Sequence, residues 1–351
     1  MGLQADGISI GWEADCGFIT HLRVQDQGRV VDMLHRAPWV GEAMPDGAPP
    51  HQARLAGDFF CAPFGDASAD RAPLHGWAAN GHWSCVETTA SSARHVLDVP
   101  VMGARLEKAL TLRDGHPFVY QKHVFTGGKG RIPVANHAMI ALPEGGIIRT
   151  SRKRFFETPG VALETDAARG WSLLHYPLRA EAADFGGVDL LTYPLGVAHE
   201  DFVTGVEAVG HALGWTAVLR ADGGLYLSLR DARRLPLTMF WYSNGGRSYA
   251  PWLGRHMGVL GVEEGVGLAV LGVSCNREPD SLTAAGQPVG LALGGVVDVR
   301  HVTGCLHWPA HEPVADVRVF AGELQVTGEG GTARRVPYDE AFLGTNAADM
   351  C

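Results

Sequence analysis

The chain has 351 residues, with 29 lysines and arginines against 38 aspartates and glutamates, for a formal net charge of −9. Hydrophobic residues supply 46% and charged ones 19%, too much apolar material and too little charge for a disordered chain. Only four lysines are present (Lys108, Lys122, Lys129, Lys153), which gives little electrostatic footing on nucleic-acid phosphates or anionic lipid, so neither a nucleic acid nor a membrane is an expected partner.

The first residues, Met1–Gly7, lack the basic start and apolar stretch of a secretory signal. Alternating apolar runs then predict strands at Ile8–Trp12 and Gly17–Val24. The Pro- and Gly-rich segment Gly41–Gln52 predicts a long surface loop, and Asp66–Pro73 a second; loops of this kind tend to form lids or rims of sites. Between and after them lie two clusters of ionisable and aromatic residues, Gly57-Asp58-Phe59-Phe60-Cys61-Ala62-Pro63-Phe64-Gly65 and Leu74-His75-Gly76-Trp77-Ala78-Ala79-Asn80-Gly81-His82-Trp83. Strands are expected at His95–Val101, Leu106–Arg113 and Phe118–Phe125, the last two joined by the turn Arg113-Asp114-Gly115-His116. Val134–Met139 carries Asn136-His137.

Further along, Trp215–Arg220 and Leu225–Arg230 flank the turn Ala221-Asp222-Gly223-Gly224. Leu237–Trp241 leads into Phe240–Arg247, then through Pro251-Trp252 to Leu260-Gly261-Val262-Glu263-Glu264. On a strand only one of the adjacent Glu263 and Glu264 can face a given side, and either could be the inward one. The apolar stretch Val259–Val273 is broken by those two glutamates and is no membrane span. His301, His307 and His311 form a loose cluster, but Pro309 interrupts regular ligand spacing, so no metal is expected. Val314–Phe320 closes the series of strands.

Strands at short intervals, with little room for long helices, predict an all-β protein: one large antiparallel β-sandwich, taken as a single domain over residues 1–351. Glycine, 46 residues, then serves the turns, where φ must be positive. Six scattered cysteines without a Cys-x-x-Cys pair read as reduced thiols of a cytoplasmic protein.

The order of the clusters resembles the aldose 1-epimerase, or galactose mutarotase-like, superfamily over roughly residues 7–325. The resemblance rests on His75-Gly76 followed by Trp83, on Asn136-His137, on Gly261-Val262-Glu263, and on the upstream Pro63-Phe64-Gly65 turn. It implies a sugar bound on a sheet face and interconversion of its α and β anomers without metal or organic cofactor. By the same resemblance Glu263 is the base, His137 the acid, and His75 a second imidazole that bonds the sugar or stabilises charge. Asn136, Trp77, Trp241, Arg247 and Arg54 are the expected substrate-binding residues, the aromatic ones by stacking on sugar C–H faces. Where the hexose-phosphate branch has an arginine two residues after His-Gly, this chain has Ala79, which argues against a phosphorylated sugar. The same departure supports an alternative, a non-catalytic carbohydrate-binding or regulatory protein on the same scaffold. A hydrolase or lyase would need a second carboxylate, for which Asp58, Asp66 and Asp189 are the candidates. The expected partner is a small-molecule sugar, and the chain is expected to be a monomer or homodimer.

Overall fold

The computed structural model describes residues 1–268 and 280–344; Cys275, Cys351 and the end of the Val259–Val273 stretch lie outside them. The protein is a large antiparallel β-sandwich. The first sheet has eleven strands; its path runs Gly2–Ala5, Ile8–Glu13, Phe18–Asp26, Asp58–Cys61, Val134–Ala141, Val259–Val266, Leu237–Asn244, His199–Glu207, Lys153–Glu157, Arg179–Ala180, with Arg29–Asp32 paired to the side. The second has nine: Thr192–Tyr193, Gly146–Thr150, Leu213–Arg220, Gly224–Asp231, Val296–His307, Phe118–Gly127, Ala104–Thr111, Ser92–Leu97, Trp83–Thr88. A three-stranded sheet, Val314–Phe320, Glu323–Gly328 and Ala333–Pro337, covers the outer face of the second. Among the described residues, no helix is long and apolar enough to cross a membrane.

Both turns named from the sequence join paired strands, Ala104–Thr111 to Phe118–Gly127 and Leu213–Arg220 to Gly224–Asp231. The expected strand His95–Val101 ends earlier, at Leu97. Val101 instead pairs with Ala104 across a tight turn, in which Met102 and Gly103 both have positive φ.

Period-two alternation gives each central strand two faces. On the inner face of Val134–Ala141, Val134, Ala138 and Ile140 join the core between the sheets, while Ala135 and Met139 belong to a separate apolar cluster on the outer face. The interior is not wholly apolar. Arg230, fully buried, bonds Glu264 and Glu207, and its Nε donates to Leu235 O at 2.9 Å. Glu264 also accepts from Thr216 and Ser228 and lies 3.0 Å from His301 Nε2. Glu207 adds Lys153, Ser151 at 2.8 Å and His211 at 2.8 Å. Burial alone would raise Glu264, but Arg230, His301 and Ser228 outweigh it and hold the carboxyl well below its usual range.

Such a network joins the two sheets only while each charge keeps its partner. Replacing Arg230 by Met leaves two buried carboxylates short of a cation. The expected cost is about 3–5 kcal/mol of stability, measured by urea unfolding at neutral pH.

Candidate active site

Three neighbouring strands of the first sheet build the floor of the site. His137, on Val134–Ala141, pairs laterally with Phe59 on one side and Glu263 on the other, so all three side chains emerge from the same outer face. The Phe59 ring stacks on His137 with centroids 4.5 Å apart. His137 Nε2 lies 3.1 Å from Glu263 Oε1, and the two residues are each 2% exposed. Gly261 precedes Glu263 on that face; a Cβ there would come within 2.9 Å of both Glu263 Oε1 and Trp241 Cβ. The Gly-x-Glu motif thus leaves room for the carboxylate beside the indole.

His75 reaches the same floor from a turn. His75 and Gly76 both adopt positive φ, 60° and 78°, and His75 N donates to Gly65 O at 2.9 Å. Its ring stands edge-on to His137 at 5.4 Å and to His51 at 5.2 Å. His51 comes from the loop Gly41–Gln52, whose end forms the helical turn Pro50–Ala53. Asn80 fixes its tautomer. The Asn80 amide donates to Leu74 O and Gly76 O at 2.8 and 2.7 Å, so its Oδ1 is the acceptor for His51 Nδ1 at 3.0 Å, leaving His51 Nε2 with a free lone pair.

These residues open on a cavity of about 430 Å³, large enough for a monosaccharide. Its aromatic wall is Trp241 and Trp252, 5.9 Å apart and nearly perpendicular, with Trp241 Nε1 donating to Glu200 at 2.7 Å. Arg247 lies over the Trp252 ring at 4.5 Å. Burial sets the protonation of the floor. It drives His137 down to about 3, with His51 adding to the effect, and His51 down to about 4 against the Asn80 bond. His75 is lowered well below its usual value by burial and then by His51, His137 and Arg247. Burial pushes the Glu263 carboxyl well above its ordinary range. At neutral pH the imidazoles are neutral.

Five of the residues expected from sequence therefore converge: Glu263, His137, His75, Trp241 and Arg247 all line the cavity. Three do not. Asn136 follows the alternation to the inner face, between Phe60 and Glu264 in the ladder. Trp77 packs against the inter-sheet core. Arg54 turns away to ion-pair with Glu13 and, at 3.0 Å, with Asp15. The choice between the two glutamates is settled by the same alternation, Glu263 outward and Glu264 inward. Of the other carboxylates considered, Asp66 lines the cavity, Asp58 is buried and takes Gln121 Nε2 at 2.6 Å, and Asp189 holds its own turn. His301 is bonded to Glu264 between the sheets, and His307 lies beside Gln27 at 3.2 Å. Sequence reading missed His51, Glu164, Arg169 and Tyr249, which also line the cavity. Pro50 at a helix start was a usable signal for His51; the other three carry none.

No sequence-family model matches the chain, and no curated protein matches it. Solved structures do. A candidate aldose 1-epimerase from Escherichia coli K12 matches with a TM-score of 0.60 at 13% identity, over 88% of this chain and 98% of that one. A second candidate aldose 1-epimerase, from Klebsiella pneumoniae, gives 0.58 at 14% over 87% and 78%. A galactose mutarotase related enzyme from Lactobacillus acidophilus gives 0.51 at 12% over 87% and 96%. The likeness is one of fold: the chain shares the antiparallel β-sandwich of these aldose 1-epimerase and mutarotase-like structures.

A neutral buried His51 makes stability depend on pH. The unfolded chain protonates it near 6.5, the folded protein only near 4, so in that window the unfolded state binds more protons and stability falls as pH drops. Between pH 7 and pH 5 the wild type is expected to lose about 2 kcal/mol more than His51→Gln, read from urea unfolding of both proteins at the two pH values.

Proposed function

We propose that the protein interconverts the α and β anomers of an aldose, with Glu263 and His137 as its proton-transfer pair. The observation that carries this reading is the 3.1 Å contact between Glu263 Oε1 and His137 Nε2 on the floor of a sugar-sized, aromatic-walled cavity. With burial raising the Glu263 carboxyl and lowering the His137 imidazole, the pair in this reading holds one proton, on the carboxyl before a sugar binds. Passing it to His137 Nε2 creates the form that opens a sugar ring. Glu263 then takes the proton of the anomeric O1 hydroxyl, the C1–O5 bond breaks with its electron pair going to O5, and O5 takes the proton from His137. The product is the open-chain aldehyde, and the proton is back on Glu263. After rotation about C1–C2 the same steps run in reverse and close the other anomer. No proton is gained or lost by the pair in a full cycle.

His75, edge-on to His137, and His51, edge-on to His75, supply neutral imidazoles for bonds to sugar hydroxyls, and Trp241 offers an indole face to the sugar C–H surface.

The pair works only while it holds a single proton, so the rate has two limbs that belong to the pair as a unit. A second proton, taken up at acid pH where His137 finally protonates, blocks the base. Loss of the last proton, above the ordinary carboxylate range because burial raises Glu263, removes the acid. The expected profile of polarimetric rate against pH is a bell with its alkaline limb well above pH 4.5. Glu263→Gln is expected to slow catalysed mutarotation by at least about 10²-fold while calorimetry still records sugar binding. Wild-type rates in a folded Glu263→Gln protein would overturn the assignment. Sugar binding by the wild type with no acceleration at all would select the carbohydrate-binding alternative.

A further inference from the structure

We propose that Glu164 sets the charge selectivity of the cavity, holding it to neutral sugars and against sugar acids; the inference rests on the reading that a sugar occupies this site. Glu164 belongs to no strand. It sits on the segment between the strand Lys153–Glu157 and Gly170, where Pro159, Val161 and Leu163 also face the cavity. The far end of the segment is fastened by the bridge between Gly170 and Arg247. Its carboxylate is largely buried, 9% exposed. Oε1 accepts from Arg247 Nε at 2.8 Å and from the Tyr249 hydroxyl at 2.7 Å. Arg169 Nε lies 3.9 Å from Oε2, and the Arg169 guanidinium rests on the Tyr249 ring at 3.8 Å.

Two guanidiniums and a tyrosine hydroxyl grouped on a cavity wall make the donor set that a substrate carboxylate would seek. Here a carboxylate of the protein's own occupies it. Arg247 is held in place by the Trp252 ring under it, so it cannot swing away to meet a second anion without giving up that contact. A neutral aldose meets a wall whose one largely buried cation, Arg247, is already paired with Glu164, while Arg169 is half exposed and screened by solvent. A hexuronate brings a negative group against Glu164, and like charges set side by side in a partly desolvated site are costly. The selectivity thus lies in an occupied position, which distinguishes it from a site that merely lacks a cation.

Glu164→Gln is the informative change, because glutamine keeps an oxygen to accept from Arg247 and Tyr249 while losing the charge. Affinities of matched pairs, glucose with glucuronate, galactose with galacturonate and mannose with mannuronate, are measured by calorimetry at low and high salt. The wild type is expected to prefer the neutral member of whichever pair binds by at least about tenfold. In Glu164→Gln that preference shrinks by about tenfold or reverses, the gain for the acid is weakened by salt, and it is lost in the double variant Glu164→Gln/Arg247→Gln. An unchanged preference in a folded Glu164→Gln protein overturns the proposal. So does an equal weakening of both members of a pair, which would mark Glu164 as a fastening of the segment and nothing more. A shifted preference without any mutarotation would leave this inference standing and remove the anomer-interconverting one. Failure of the wild type to bind any of the six sugars would remove both.

Discussion

Glu263 and Glu264 are one peptide bond apart, and the period-two geometry of a strand sends the first to the cavity and the second between the sheets. The two carboxyls are driven in opposite directions by what they meet there. Glu264 meets Arg230, His301 and two hydroxyls and stays ionised. Glu263 meets a neutral imidazole and an aromatic surround, and its carboxyl is held toward the protonated form. The interior network ties Val259–Val266 to strands of the opposite sheet, through Thr216, Ser228, Arg230 and His301. It thereby fixes which face of that strand looks out. A slip of one residue would send each glutamate to the opposite face, leaving either a carboxylate inside without Arg230 or one outside away from His137, according to the direction of the slip. Structural charge and functional charge are set by a single register.

The same geometry separates what could be read in the sequence from what could not. Strands and hairpin turns were legible because alternation and Asp-Gly or Gly-Gly turns are local signals. The cavity positions of Glu263, His137 and His75 were legible through short motifs, and that of Trp241 through the aromatic cluster Phe240–Arg247. The resemblance puts Asn136 on the sugar as half of the Asn136-His137 pair, yet adjacency on a strand means opposite faces, and its neighbours in the ladder are Phe60 and Glu264. Tyr242 beside Trp241 follows the same rule, its hydroxyl donating to Leu190 O inside the sandwich. The residues with no sequence signal, Glu164, Arg169 and Tyr249, come from irregular segments. There no period links position to direction, and only the closed fold brings the segments to one wall.

Loop length carried information even where loop content did not. Gly41–Gln52 reads as a rim, and it is one: its end supplies His51 and Gln52 to the cavity. The tautomer of His51, however, depends on Asn80, which is oriented by the carbonyls of Leu74 and Gly76 on either side of His75. One amide therefore ties two imidazoles from distant segments into a fixed relation. Such coupling is a property of hydrogen-bond satisfaction in a buried place, where each donor must find its acceptor, and it has no counterpart in spacing.

The two glycine-containing motifs that pointed to the site owe their form to packing. Gly76 lies so close to the strand end that a Cβ would come within 2.1 Å of the Ala62 carbonyl, and its positive φ would burden any other residue. His75 shares that left-handed conformation, which histidine adopts more readily than β-branched residues do. Gly261 keeps a normal backbone and is small for a different reason, the space needed by the Glu263 carboxylate and Trp241. A chain keeping both glycines retains the means to present an imidazole and a carboxylate to one cavity. The motifs consequently speak to the floor of the site. The wall, where Glu164, Arg169, Arg247 and Tyr249 meet, has no motif to announce it.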